Sequence, residues 1–324
     1  MMTHAAADLH GLLWAFELGP VTVRDQELLE ARATDRPQWL HFSLVDTRAC
    51  RWIENAGLDD EAREELLDPA PHAHGEALPD SVVIVLSDMH HDFKGDPESV
   101  GPFVIYLEET RVITGRRHPL MSLDRLRRKL LSGTQVATTV ELFEEMLESL
   151  GDSFGGFVSK MGDEVDDAED KILAGQLHDQ GSRLGRMRRT LARFRRHVRG
   201  NRAALASVLP RLPRWCDSES RNRLHQALER IDAMAQDIEL CQERTRLLQE
   251  EIGGRLGEAT NRNLFFLSIL TATLLPVTLI TGIFGMNVGG LPFLNDPGGF
   301  HWVTGIMVVA VVAVLLLLRR RQIF

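Results

Sequence analysis

Three consecutive residues, Gly285, Met286 and Asn287, combine a flexible backbone with a neutral polar side chain. Glycine permits tight turns that bulkier residues avoid, and glycine recurs at Gly289 and Gly290. The Asn287 amide offers a carbonyl oxygen and N–H donors, so it can bind a hydrated cation without adding fixed charge. This chemistry suits the mouth of an ion pathway.

A mildly polar stripe precedes this turn. If the chain is drawn as a helix at about 100° per residue, one set of residues falls within an arc of roughly 100°. The stripe consists of Asn261, Leu264, Ser268, Thr271, Leu275, Thr278 and Gly282. It predicts that several copies of the helix surround an axis, although such hydroxyls also bond their own backbone or a neighbouring helix. Thr273 and Thr281 lie off the stripe, and Pro276 predicts a bend or an exposed carbonyl.

A second set of candidate metal ligands lies far upstream. Asp88, His90 and His91 stand close together, and imidazoles with carboxylates suit zinc. Adjacent residues of a strand point to opposite faces, so only two or three of these side chains can converge. The segment is either a site that loads or senses zinc, or a polar loop after a strand.

Two apolar segments must position the Gly-Met-Asn turn. Residues 264–284 carry no charge over 21 residues, which as a helix spans about 30 Å. Residues 302–318 form a second run of 17. We predict that both cross a membrane rather than form buried core helices. Arginines flank the pair, and residues 285–301 contain no Lys or Arg, so the positive-inside rule predicts that both termini are cytoplasmic.

The remainder of the chain is charged and acidic. The 324 residues carry 37 basic and 46 acidic groups, and residues 1–260 alone carry 33 and 45, a net charge of −12. Such a region is a poor nucleic-acid binder and attracts cations instead, so nucleic acid is not an expected partner. Phosphate-binding glycine loops, nucleophile elbows and zinc-protease helices are missing from the sequence, and the three cysteines lack metal or redox spacing. We therefore expect neither an enzyme nor a resident cofactor.

Short apolar runs and turns up to about residue 120 predict an α/β domain, after which the pattern becomes helical. Strands are predicted at 12–18, 38–44, 81–88 and 103–115, and helices at 59–67, 122–131, 138–173 and 185–206. A stalk helix is predicted over 218–284, because apolar residues recur at steps of three and four. Its glycines at 253, 254 and 257 indicate either a hinge or close helix packing.

The helix over 185–206 is rich in arginine, and an acidic helix precedes it. We expect opposite charges to pair between antiparallel helices or subunits, in preference to arginines that bind nucleic acid. The expected acidic partners are Glu141, Glu144, Glu145, Asp163, Glu164, Asp166, Asp167 and Glu169.

The Gly-Met-Asn turn between two closing apolar segments, followed by a basic C-terminus, resembles the CorA family of divalent-cation transporters. The longer run Gly-Met-Asn-Val-Gly-Gly-Leu-Pro is similar to the family's ZntB-like zinc-transport branch. In the magnesium branch an aromatic residue, and often an acidic one, follows the Asn. Pro276 resembles the family's first-span proline, and Asn261 the polar residue at the cytoplasmic start of its pore helix. The runs Trp39–Phe42 and Arg186–Arg189 also resemble the zinc branch.

The resemblance implies a homopentamer in a bacterial inner membrane, with an α+β cytoplasmic funnel domain, long stalk helices and two C-terminal transmembrane helices. The first span would line the pore, and five Gly-Met-Asn loops would ring its outer mouth as the selectivity filter. Asp296 would add a negative ring if it reaches that mouth. The expected parts are an α/β domain (1–120), a helical region (121–262), the first span (263–284), a periplasmic loop (285–300), the second span (301–319) and a tail (320–324).

We therefore expect a transporter of divalent metal cations, with zinc first and Cd²⁺, Co²⁺, Ni²⁺ or Mg²⁺ as further cargo. Two alternatives stay open. One is a magnesium or cobalt channel of the same family. The other is a membrane-tethered scaffold or signalling protein, for which the hairpin is only an anchor.

Overall fold

The computed structural model describes residues 11–19, 36–91, 99–286, 291–292 and 298–320. The chain forms two compact units, which divide between Gln249 and Glu250 inside one long helix. The first unit contains a sheet and most of the helices. The second unit contains both apolar segments.

Six strands form one mixed sheet in the order β1-β2-β6-β5-β4-β3. They are β1 (Leu12–Glu17), β2 (Gln38–Ser43), β3 (His74–Ala77), β4 (Ser81–Met89), β5 (Val100–Glu108) and β6 (Arg111–Arg116). Strands β2 and β6 are parallel, whereas the other neighbours are antiparallel.

Seven α-helices lie within the described ranges. They are α1 (Thr47–Glu54), α2 (Asp60–Leu67), α3 (Met121–Leu131), α4 (Thr139–Leu173), α5 (Gln180–Val208), α6 (Ser218–Phe284) and α7 (Gly299–Arg320). The start of α4 has the Thr-x-x-Glu pattern of a capping box, with the Glu141 side chain bound one residue before the N-cap Thr138. Thr138 Oγ1 accepts from the Glu141 backbone N–H at 3.1 Å, and Glu141 Oε2 accepts from the Ala137 N–H at 2.7 Å. These contacts satisfy backbone donors that have no partner inside the helix.

The sheet is covered by helices on both faces. Val82 and Ile84 of β4 belong to one hydrophobic cluster, which includes residues of α3, α4, α5 and α6. Val83 and Val85 belong to a second cluster, which includes residues of α1 and α2. Because strand side chains alternate between faces and both faces are covered, all nine residues of β4 are buried, including the apolar run at 82–86. The larger cluster joins residues before and after position 120, the predicted end of the α/β domain, because helices that follow this position cover one face of the sheet.

Most predicted elements are confirmed with small shifts at their ends. The predicted strand over 103–115 is wrong as a single element, because the chain reverses at Glu109–Thr110 and forms β5 and β6. The connection predicted before residue 185 is shorter, since α5 already begins at Gln180. Strand β3 and helix α1 were not predicted. The stalk helix is confirmed over its full predicted length.

The arginines of α5 pair mainly with α6. Glu239 forms ion pairs with both Arg195 and Arg199, and Asp232 pairs with Arg202. Of the α4 carboxylates that we expected to serve α5, Asp167 does so, through Arg183 at 2.5 Å. Others bind α3 or α6 instead, in the pairs Glu145–Lys129, Glu144–Arg223, Asp166–Arg244 and Glu169–Arg244. The predicted pairing of opposite charges between helices is thus confirmed, but most acidic partners of the α5 arginines lie on α6 and not on α4.

Candidate ion pathway

Helix α6 carries the predicted pore residues on one continuous element of 67 residues, about 100 Å long at 1.5 Å per residue. Its apolar end and α7 are long and apolar enough to cross a membrane. None of the residues in the most apolar part of either helix is buried in the described chain. The two helices therefore offer their surfaces to lipid or to other copies of the chain.

Every residue of the predicted stripe lies on an exposed part of α6. Leu264 and Leu275, for example, are 56% and 67% exposed. The half-buried positions lie elsewhere around the helix, at Phe265, Ile269, Ala272, Thr273, Pro276, Val277, Ile280 and Phe284. Half-buried positions of α7 also recur at steps of three and four, at Val303, Thr304, Met307, Ala310, Val311, Val314 and Leu318. This periodicity is typical of two helices that pack along one face each, and the stripe lies on an exposed side of α6.

The hydroxyls of the stripe bond to their own helix. Ser268, Thr271 and Thr278 each donate to the carbonyl oxygen four residues earlier, over 2.8, 2.8 and 2.9 Å. Thr273 and Thr281, which lie off the stripe, do the same. The alternative of self-bonded hydroxyls is thus confirmed, but it does not make the stripe apolar. A hydroxyl that has donated its hydrogen still has lone pairs, so the stripe presents hydrogen-bond acceptors.

Pro276 lies within the same helix, which continues through it to Phe284. Proline has no N–H, so it cannot donate to the carbonyl of Ala272 four residues earlier. Ala272 is half-buried and adjacent to the stripe. Proline thus leaves the Ala272 carbonyl without its usual helical donor, at the edge of the half-buried face.

The helix closes in a tight turn at its apolar end. The Gly285 N–H donates to Thr281 O at 2.9 Å, and the Met286 N–H donates to Ile283 O at 3.3 Å. A Cβ atom at Gly285 would stand only 3.0 Å from the Thr281 carbonyl oxygen, so this turn favours glycine. Met286 is 49% exposed. Asn287 and Asp296 lie outside the described residues, and their roles stay predictions.

Asp88, the first of the upstream candidate ligands, is fully buried and serves the fold. Its Oδ2 accepts from the Ser122 N–H at 2.9 Å and from the Ser122 hydroxyl at 2.6 Å, and its Oδ1 accepts from the Met89 N–H at 2.7 Å. Burial raises the pKa of this carboxyl to about 6, against the lowering effect of the Ser122 and Met89 hydrogen bonds. The carboxylate caps the first turn of α3. Ser122 is the second residue of α3, and we did not identify it from the sequence as a partner of Asp88.

His90 and His91 have different neighbours. The His90 ring lies 4.8 Å from the ring of His118, centroid to centroid, and its backbone bridges to Leu120. His91 Nδ1 lies 3.8 Å from Asp124 Oδ2, a carboxylate that Arg116 also binds. Across the described parts of the chain, no group of three or more His, Cys, Asp or Glu side chains could hold a metal. Asp88, His90 and His91 therefore do not form such a group in the described structure, and a metal site at these residues stays a prediction.

Known proteins show the same fold over nearly the whole chain. The full-length CmaX protein superimposes with a TM-score of 0.82 at 24% identity, covering 97% of this chain and 99% of that one. The CorA magnesium transporter from Methanocaldococcus jannaschii has a TM-score of 0.78 at 19% identity, covering 95% and 97%. The α+β unit, the long helix and the two apolar C-terminal helices thus form a CorA-like fold.

Sequence comparison reaches the same family. The zinc transport protein ZntB of Yersinia enterocolitica is 27% identical over 282 residues, which cover 86% of this chain and 86% of the relative. The family model described as CorA-like Mg²⁺ transporter protein matches residues 34–320. The chain therefore belongs to the family of CorA-like Mg²⁺ transporter proteins.

Proposed function

We propose that the chain transports divalent metal cations across a membrane, with zinc as its main cargo. The observation that carries this proposal is the exposed stripe of hydroxyl acceptors on the apolar part of α6, which leads to the turn at Gly285. A helix that served only as an anchor would need neither feature. The scaffold alternative is therefore less favoured.

One hairpin cannot enclose a polar path, so the pathway requires several copies of the chain. We propose a homopentamer in which the stripe of each first span faces a common axis and α7 faces lipid. The exposure of the stripe supports this arrangement, since the half-buried face of α6 lies elsewhere around the helix. The soluble unit and both termini would be cytoplasmic, and the membrane would be the bacterial inner membrane.

In this arrangement the cation passes with its water shell. Water molecules bound to a cation direct their hydrogens outward, toward acceptors such as the hydroxyls of Ser268, Thr271 and Thr278. The stripe thus favours cations without a charged side chain in the span. Rings of Leu264 and Leu275 would form apolar constrictions, which gate ion pathways by losing water. Five Asn287 amides would select the hydrated ion at the outer mouth.

Zinc is preferred as cargo because the ZntB relative is named for zinc transport and because the loop sequence is Gly-Met-Asn-Val-Gly-Gly. A magnesium or cobalt channel is the second candidate, since the family model is named for Mg²⁺. Competition between zinc, magnesium and cobalt during uptake into liposomes separates the two. Inhibition of zinc flux by magnesium at equal concentration would favour the second candidate.

The stripe is tested by hydroxyl removal with a matched control. Valine has nearly the shape of threonine but no hydroxyl. Thr271→Val combined with Thr278→Val should lower zinc flux into liposomes by about tenfold or more, because each ring loses an acceptor worth about 1 kcal/mol per hydrogen bond. Thr273→Val combined with Thr281→Val removes two self-bonded hydroxyls off the stripe and should leave flux near the wild-type rate. Equal losses in both variants would refute the assignment of the lining face.

A further inference from the structure

A cavity of about 490 Å³ opens in the first unit, beside α3, α4 and α5. Its floor is apolar and consists of Met89, Met161, Met187 and Phe157, each at most 7% exposed. The volume lies within the range of about 300–1,000 Å³ that is typical of small-molecule sites. Nothing in the transport pathway uses this cavity.

The rim of the cavity is basic. It has four basic and two acidic side chains, a net charge of +2, namely Arg125, Lys160, Arg183, Arg186, Asp152 and Glu164. Arg125 and Arg183 form ion pairs with carboxylates. Lys160 and Arg186 form none with any part of the chain that the structure describes. A basic concavity on a soluble part of net charge −12 is suited to an anion.

Gly156 indicates that the space is kept open. It lies in the middle of α4, where glycine costs about 1 kcal/mol relative to alanine. A Cβ atom built at Gly156 would meet nothing within 4 Å, so close packing of the described residues does not explain the glycine. Gly156 lines the cavity, so a large side chain at this position would take up space at its opening.

We propose that this cavity binds a nucleoside phosphate, with the base on the methionine floor and the phosphates between Lys160 and Arg186. Methionine sulphur makes favourable contacts with aromatic rings, and lysine and arginine are the usual phosphate ligands. Thr190, also in the lining, offers a hydroxyl to the polar edge of a base. A broad, open cavity suits a compact ring better than a long acyl chain, which needs a narrow tunnel to become buried.

The test is isothermal titration of ATP into the full chain in detergent, with EDTA present so that metal transport sites stay empty. Gly156→Leu should weaken ATP binding at least tenfold, because leucine fills the cavity and is also a better helix former than glycine. Gly162→Leu is the matched control. It lies on the same helix, a Cβ there also meets nothing within 4 Å, and it does not line the cavity. This control should bind ATP as the wild type does.

The charge of the rim is tested separately. Lys160→Gln combined with Arg186→Gln should also weaken ATP binding at least tenfold, whereas Arg196→Gln, an exposed arginine of α5 outside the cavity, should not. Absence of ATP binding by the wild type, or undiminished binding by Gly156→Leu, would overturn the proposal. Tighter binding of inorganic triphosphate than of ATP would overturn the role of the floor, and binding of oleate but not ATP would overturn the ligand class.

Discussion

At the scale of single residues, Asp88 is an ionisable group without access to water. The carboxyl joins the end of β4 to the start of α3 through three hydrogen bonds to Ser122 and Met89. Desolvation outweighs these bonds and raises its pKa to about 6. The group is therefore ionised at neutral pH at a cost to the folded state.

This raised pKa predicts a pH dependence of stability. Between about pH 4 and 6 the folded chain retains a proton on Asp88 that the unfolded chain has lost, so the contribution of Asp88 to the unfolding free energy falls as pH rises. The total change is about 3 kcal/mol for a shift from the ordinary value of 3.8 to about 6. Asp88→Asn should remove this part of the dependence, as measured by thermal unfolding from pH 4 to 7. Asp80→Asn, at an exposed site, should retain the wild-type slope, and an unchanged slope in Asp88→Asn would contradict the assignment.

Asn287 carries the proposed recognition of the hydrated ion. Asn287→Ala should reduce zinc flux in liposomes to the background rate, because the amide acceptor disappears from all subunits at once. Asn295→Ala, a change of the same type in the same connecting segment, should retain flux. Normal zinc flux through Asn287→Ala would remove this residue from the mechanism.

At the scale of elements, α6 joins both compact units in one uninterrupted helix. The boundary between the units falls at Gln249 and Glu250, shortly before Gly253, Gly254 and Gly257. All three glycines are exposed, and a Cβ atom at any of them would meet nothing within 4 Å. Close packing within the described chain therefore does not require them, which favours the hinge hypothesis.

Replacing the three glycines tests the hinge. Gly253→Ala, Gly254→Ala and Gly257→Ala together should raise the thermal midpoint, since alanine is favoured by about 1 kcal/mol per site in a helix. We expect the stiffened helix to lower zinc flux severalfold in the same preparation. Gly162→Ala in α4 should stabilise the chain without changing flux. A triple variant that is more stable and fully active would show that no bending is needed.

Elements with strong local signals were predictable from sequence, and those set by distant contacts were not. The stalk helix was predictable because its apolar seam leads into the first span with no proline before Pro276, and the helix continues through that proline. The turn at Glu109–Thr110 has neither glycine nor proline, so β5 and β6 were predicted as one strand. The partner of Asp88 could not be predicted because Ser122 lies 34 residues away in the sequence. In addition, aspartate serves both as a metal ligand and as a helix cap, so its residue type does not separate the two roles.

At the scale of the whole molecule, charge is unevenly divided. Residues 1–260 carry a net charge of −12, which five copies would raise to about −60, a field that concentrates cations on the soluble side. Many carboxylates are already paired with arginine, as in the Glu239 and Asp232 bridges. Ion pairing does not change the net charge, so residues 1–260 of each copy keep their net charge of −12.

This field predicts that ionic strength controls transport at low zinc concentration. With zinc supplied on the side of the soluble unit, initial flux should fall severalfold when an inert salt is raised from about 0.01 M to 1 M, because the screening length shrinks from about 30 Å to 3 Å. Sucrose at equal osmolarity should have no such effect. Flux that does not respond to salt would show that the acidic surface serves solubility alone.

Because the stripe hydroxyls of α6 bond within their own helix, the chemistry of the proposed pathway lining can change without loss of fold stability. Loss of a stripe hydroxyl removes an outward acceptor, and the hydrogen bond that it breaks lies within its own helix, so we expect folding to tolerate the change. In a ring of identical subunits, a single substitution changes the same position of the pathway in every subunit. The ion preference of such a pathway can therefore drift by single substitutions while its architecture persists, which fits a fold shared by relatives named for magnesium and for zinc.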